Sequence, residues 1–263
     1  MYLIYNQWTR RYAKRVLGGL ILALFMTAGC AMTENQVKKE RDADSHYKLG
    51  MAHLNENNLQ MAFIEFQKAI ESNPGDKAYY YALGIVHFKM DRLEDAVDAY
   101  KKALTIDPAY AEAHNGLGAI YGKLGKWDDA IHEYEKALEN RQYPTPQWVY
   151  YNKGYAYFNK GEYQPAMLAF KEATKFQPDM SMFHLWLGFT YMKLEMTKEA
   201  IAAYEAAKRL DARNMDIYYN LGFAYLKEGM RPEALDAFKR VVELSPESDA
   251  AADSMKYIDL LKK

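Results

Sequence analysis

Apolar and small residues fall at helical spacing through most of the chain, and the helical blocks themselves recur. Leu49-Gly50, Ala62, Phe66, Ala69 and Pro74 make one round; Leu83-Gly84, Ala96, Tyr100, Ala103 and Pro108 repeat it 34 residues on. Each round predicts a pair of helices with a turn between them. A third round has Leu117-Gly118, Ala130, Tyr134 and Ala137, with Gln142 in place of the closing proline. Two extra residues in Tyr143-Pro144-Thr145-Pro146 then delay the fourth round, Lys153-Gly154, Ala166, Phe170, Ala173 and Pro178, and shift the register. The fifth is Leu187-Gly188, Ala200, Tyr204, Ala207 and Ala212, and the sixth Leu221-Gly222, Ala234, Phe238, Val241 and Pro246.

Each recurring residue type has a packing reason. Glycine in the first helix and alanine in the second let two backbones approach, and the aromatic at Phe66, Tyr100, Tyr134, Phe170, Tyr204 and Phe238 fills the space between them. Gly125, Gly161, Gly229 and Asn57 stand where the first helix ends and the chain reverses, as expected of a left-handed residue, with Asp91 and Glu195 as weaker stops. The closing prolines stop the second helix. Residues 249–263 carry Ala251, Met255, Ile258 and Leu261 on one side and predict a helix capping the last apolar face.

Period and residue pattern resemble the tetratricopeptide repeat. The resemblance implies an all-α fold, an α-solenoid of six repeats at 43–76, 77–110, 111–144, 147–180, 181–214 and 215–248 followed by the capping helix. It also implies a protein-binding scaffold whose first helices line a groove with their second, fifth, ninth and twelfth positions. Those positions hold Tyr47, Met51 and Leu54 in repeat one and Tyr81, Ile85 and Phe88 in repeat two. Repeat four offers Trp148, Tyr151, Tyr155 and Phe158; repeat five Met182, Leu185, Phe189 and Met192; repeat six Tyr219, Phe223 and Leu226. Repeat three has only Asn115, Ala119 and Gly122, so the groove is expected to be apolar at both ends and open in the middle. An amphipathic helix or extended apolar segment is the ligand such a surface implies, with the methionines adapting to it. Asn55, Lys89, Lys123, Asn159, Lys193 and Lys227 follow at the thirteenth position, where lysine also favours a helix C-terminus. The Lys and Asn pair of chaperone-binding relatives is replaced by Tyr47 and Met51, against binding of chaperone tails.

The first residues belong to a different kind of sequence. Arg10, Arg11, Lys14 and Arg15 precede an apolar run from Val16 to Ala28 that ends in Thr27-Ala28-Gly29-Cys30. These are the basic, apolar and small-residue parts of a secretory signal, and the run is short for a membrane span of about 20 residues. Small residues directly before a cysteine resemble a bacterial lipobox, with Thr27 where leucine is usual. The resemblance implies a signal peptide over 1–29 and acylation of Cys30, the only cysteine, which excludes an intrachain disulfide. Several acyl chains there would anchor the protein stably. Residues 30–42 lack apolar periodicity and read as a lipidated flexible tether. Ala31 after the cysteine, rather than Asp, goes with delivery to the outer membrane in the lipoproteins that this one resembles, so an outer-membrane anchor facing the periplasm is expected.

Loss of residues 1–29 removes four basic and no acidic residues, taking the formal charge from −1 to −5. No long basic stretch remains for nucleic-acid phosphates. His46, His114 and His184 recur at one repeat position and His53 and His87 at another, which reads as packing rather than metal ligation. Glu94-Asp95 and Asp128-Asp129 open second helices, where carboxylates favour the dipole. No catalytic motif or phosphate-cradling loop occurs, so neither an enzyme, a cofactor nor a small-molecule substrate is expected.

A secreted, lipid-anchored protein of six such repeats resembles the type IV pilus biogenesis and stability lipoproteins, the pilotins of the PilF, PilW and Tgl kind. Tyr143-Pro144-Thr145-Pro146 followed by Asn152-Lys153-Gly154 is similar to the irregular junction of that family. The resemblance implies binding of pilus secretin subunits and their carriage to the outer membrane by the acyl anchor, where ring assembly is promoted. The alternative is an envelope scaffold that organises cell-wall enzymes or outer-membrane protein assembly.

Overall fold

In the computed structural model, residues 34–262 of the chain are described; the signal segment and Cys30 lie outside them. Among the described residues the structure is all-α, with thirteen helices and no strand. It divides into two compact units, the first ending at Ile106 and the second beginning at Asp107.

The first unit holds α1 (residues 34–55), α2 (Leu59–Ser72), α3 (Lys77–Lys89) and α4 (Leu93–Ile106). Ala43, Tyr47, Met51 and Leu54 of α1 pack with Phe66, Ala69, Tyr79 and Val86. Residues 34–42, expected as a flexible tether, are instead exposed helix continuous with the repeat. Their missing apolar periodicity forecasts a lack of burial, but Glu, Gln, Lys and Arg are good helix formers, and Gln36 donates to Glu40 one turn on at 3.1 Å. As helix the segment spans about 14 Å, under half its extended reach.

The second unit runs through α5 (Ala111–Lys123), α6 (Trp127–Glu139), α7 (Pro146–Lys160), α8 (Tyr163–Phe176), α9 (Ser181–Lys193), α10 (Thr197–Leu210), α11 (Met215–Lys227), α12 (Arg231–Leu244) and α13 (Asp249–Leu261). Each helix packs on the next, whereas α5, α7, α9 and α11 touch one another only lightly. Both units are therefore stacks of helical hairpins of the solenoid type.

The seam inside each hairpin is as tight as the residue pattern requires. A Cβ placed on Gly188 would lie 2.3 Å from the Tyr204 ring, inside any tolerable contact, and the other five hairpins show the same glycine against their own aromatic ring. The reversals also take the expected left-handed form, with φ of 69° at Gly125, 83° at Gly161 and 75° at Gly229. Asn57, Asp91 and Glu195 take it at 58°, 61° and 60° without glycine's freedom.

At the junction of repeats three and four the longer connection drops Tyr143 into the core beside Ala137 and Val149. Pro146 then starts α7 at a position where its missing N–H costs nothing. The capping face of α13 is rotated from the expected one. Ala251, Ser254 and Ile258 are buried, and Tyr257 stacks on Phe238 at 5.1 Å, while Met255 is 46% exposed. Residues 254 and 255 both satisfy the helical period, and the large Tyr257 ring selects the side that carries Ser254.

Candidate functional site: an aromatic face and a cavity on the first helices

In the first unit the proposed groove residues form part of the packing within and between hairpins. Tyr47 lies 5.8 Å from Phe66 and 5.1 Å from Tyr79, and Tyr81 lies 5.7 Å from Tyr100. Burial, and then the Asp76 carboxylate, push the Tyr47 hydroxyl above its ordinary pKa. Met51, Ile85 and Phe88 remain half-buried, but Leu54 is buried against the core. Leu54 is thus a core residue and not a groove wall, because its twelfth position turns toward Phe66 and Val86.

The second unit builds a larger aromatic surface. Trp148 and Tyr151 of α7 close on Phe183 of α9 at 5.2 and 5.3 Å. One turn on, Tyr155 and Phe158 meet Trp186 at 4.8 and 5.3 Å, both edge-on, and Trp186 meets Phe189 at 5.3 Å. Edge-to-face rings at these spacings attract one another beyond their area burial. Burial first, and then neighbouring Tyr155, push the Tyr151 hydroxyl up to about 12, so it stays a neutral donor. Met182 and Met192 of α9 are half-buried, as are Tyr219, Phe223 and Leu226 of α11; Phe223 meets Phe238 at 5.3 Å, and Tyr219 donates to Asp253 of α13 at 3.0 Å. Leu185 is buried, which removes it from the expected groove as well. Its fifth position is turned inward, and the neighbouring Trp186 takes the open side.

Trp186 is the residue that position counting misses. It stands sixth in its repeat, one residue off the expected row, yet it contacts Tyr155, Phe158, Phe170 and Phe189. Only its size and its place among apolar neighbours in Leu185-Trp186-Leu187 mark it in the sequence.

Where repeat three supplies only Ala119 and Gly122, the surface opens into a cavity of about 390 Å³. Ala119, Gly122 and Lys123 of α5 form one side and Asn152, Tyr155 and Ala156 of α7 the other, with Trp127 and Tyr134 of α6 behind. Trp127 and Tyr155 stand edge to face across it, 6.4 Å between centroids at 74°. Asn115, the third residue of that row, keeps its side-chain oxygen buried without a hydrogen-bond partner among the described residues.

The recurring histidines do more than fill space. His46 pairs with Glu65 and His114 with Glu133, each at 2.6 Å and each across a hairpin, and the other ring nitrogen of His114 meets the Pro108 carbonyl at 3.0 Å. The Glu133 hydrogen bond raises the His114 pKa against the effect of burial. Glu65 is held below the usual carboxylate range, chiefly by the Lys68 hydrogen bond and also by His46, with burial opposing. His184, at the same repeat position, meets only the Pro178 carbonyl, at 2.8 Å. Among the described residues no group of three or more His, Cys, Asp or Glu is placed to hold a metal, and no helix is long and apolar enough to cross a membrane.

Comparison with known proteins agrees with this architecture. Tetratricopeptide-repeat profiles match residues 43–76, 109–179 and 216–248, and a further repeat profile of the same kind matches 88–125 and 197–229. No curated protein matches the chain by sequence. Among solved structures it is similar to Pseudomonas aeruginosa PilF, with 19% identity, a TM-score of 0.74, and coverage of 83% of this chain and 99% of that one. PilW, described as a widely conserved type IV pilus biogenesis factor, is 20% identical with a TM-score of 0.71, over 81% of this chain and 98% of its own. YrrB, described as a TPR protein with an unusual peptide-binding site, is 25% identical with a TM-score of 0.64, over 73% of this chain and 97% of its own. With hairpins stacked in both units and repeat profiles along most of their length, the chain belongs to the tetratricopeptide-repeat proteins.

Proposed function

We propose that the protein is a lipid-anchored scaffold that acts as a pilotin for type IV pilus biogenesis, binding secretin subunits and bringing them to the outer membrane for assembly. The observation that carries the binding role is the half-buried aromatic face of α7 and α9, where Tyr155, Phe158, Trp186 and Phe189 hold one another in place with part of each ring still open to a partner. Such rings bind with little entropy loss because they are already ordered. The fold shared with PilF and PilW supports the pilus assignment, and the peptide-binding description of YrrB supports a peptide segment as the ligand. Cys30 after Thr27-Ala28-Gly29 would supply the acyl anchor and outer-membrane address, on the periplasmic side.

Cells lacking the protein test this reading. They should lose detergent-resistant secretin multimers from the outer membrane and regain them with the wild-type chain, but not with Cys30→Ser or with Phe158→Asp. Phe158→Asp and Phe189→Asp should abolish secretin capture while the helical circular dichroism is retained. Normal secretin rings in the deletion strain would refute the pilotin role, and capture unchanged by both substitutions would place binding elsewhere.

A further inference from the structure

The cavity between α5 and α7 is kept open at a residue where packing does not demand it. Each seam glycine is forced to be glycine by the aromatic ring against it, but a Cβ on Gly122 would find its nearest neighbours, the Tyr134 hydroxyl and Trp127, at 3.7 and 3.9 Å. Alanine would fit there and would favour the helix. What glycine preserves is space, and Ala119 one turn earlier preserves more of it.

The groups around that space select an occupant. Trp127 and Tyr155, edge to face at 6.4 Å, both line that space, and aromatic rings attract a further ring beyond its area burial. The Tyr134 hydroxyl and the Asn152 amide, both in the lining, can pair with an indole N–H or a phenol O–H, which a purely aliphatic side chain could not use. A volume of about 390 Å³ is ample for one such side chain.

Charge selects what flanks it. The helices α5, α7, α9 and α11 carry five lysines against two carboxylates, Glu112 and Asp216, although the chain after residue 29 is acidic. Lys153 and Lys160 are held by Glu135 and by Asp128 with Glu162. Lys123, Lys193 and Lys227 stand four residues beyond Ala119, Phe189 and Phe223, hence on the same helix faces. Lys123 lines the cavity itself, and among the described residues neither Lys193 nor Lys227 meets a carboxylate.

We propose that this cavity is the anchor subsite of the binding face and takes a Trp or Tyr side chain of an acidic partner segment, whose carboxylates lie toward Lys193 and Lys227. The proposal deepens the scaffold reading and rests on it.

Short end-capped peptides with one central Trp between glutamates, titrated against the full chain by calorimetry, test it. Binding should weaken about tenfold when the Trp is replaced by Ala, and to a similar degree when lysines replace the glutamates. It should also weaken as salt is raised. Gly122→Leu and Ala119→Leu should abolish binding with an unchanged or higher thermal midpoint, and Gly122→Ala should weaken it severalfold. The paired reversal Lys193→Glu with Lys227→Glu should remove the preference for glutamate flanks. Absence of binding by every peptide, binding indifferent to both leucine variants, or tighter binding of the lysine-flanked peptide would each overturn the proposal. If Gly122→Leu does not fold, Ala119→Leu and Gly122→Ala decide. Secretin capture that depends on Phe158 and Phe189 but is normal in Gly122→Leu would leave the scaffold reading standing and remove this subsite alone.

Discussion

Repeats three and five share one hairpin plan within the second unit, yet their first helices present different surfaces. In repeat five Trp186 crowds against Tyr155, Phe158 and Phe189, and Phe189 stands edge-on to Tyr204, whose hydroxyl is left buried without a partner among the described residues. In repeat three the corresponding stretch is Gly116, Ala119 and Gly122, which puts no large side chain over this part of the surface, and a cavity bordered by Tyr134 results. The hairpin seams are nevertheless alike, glycine against tyrosine in both, Gly118 on Tyr134 and Gly188 on Tyr204. Stability and surface are thus carried by different positions of the same helix, so one can vary while the other stays constant.

The strongest way to break the contrast is at the seam. Gly188→Val should destabilise the protein by about 3 kcal/mol, measured by urea unfolding, because its Cβ would lie 2.3 Å from the Tyr204 ring and α9 and α10 would have to separate. Gly122→Val, with no neighbour nearer than 3.7 Å, should cost less than about 1 kcal/mol. Trp186→Ala should cost about 2 kcal/mol, between those two, since the ring is only half-buried and full truncation of a core tryptophan costs more. It should also enlarge the open surface at repeat five, visible as faster amide exchange in α9.

The hydroxyls sharpen the comparison in the stabilising direction. Tyr204→Phe should gain about 1 kcal/mol by removing an unsatisfied buried polar group, whereas Tyr134→Phe, whose hydroxyl borders the cavity, should be close to neutral in the same unfolding assay. The smallest difference lies in the histidines. His114 has Glu133 across its hairpin, while His184 has Ala203 at the matching place. Because its folded pKa is raised, the His114 contribution is fully present below the unfolded value near 6.5 and is lost as pH rises through the folded pKa. Unfolding midpoints should therefore fall with rising pH across that window, and Glu133→Gln should flatten the slope.

Contacts inside a hairpin were legible in the sequence because they are close along the chain. Every seam glycine precedes its aromatic partner by 16 residues, so the pairs Gly50 with Phe66 and Gly222 with Phe238 follow from the spacing alone. Tyr155, Phe158 and Phe189 could be assigned to the open side of the first helices by repeat position. Leu54 and Leu185 could not be excluded from it, and Trp186 could not be added, because a small rotation of a helix exchanges neighbouring positions between core and surface. The helical state of residues 34–42 was hidden for another reason: apolar periodicity reports burial, and an exposed helix has nothing to bury.

By itself the sequence determined the helix pairs, their period, and the glycine–aromatic seams, since these depend on local propensity and on contacts that one hairpin makes with itself. Tertiary structure alone decided which rings of adjacent hairpins meet, where α13 lays its buried side, and that the small residues of α5 face a cavity bordered by Trp127 and Tyr155. The reason is geometric. How one hairpin docks on the next depends on the summed shape of both surfaces and on connections such as 140–146, and no single spacing in the chain encodes that sum.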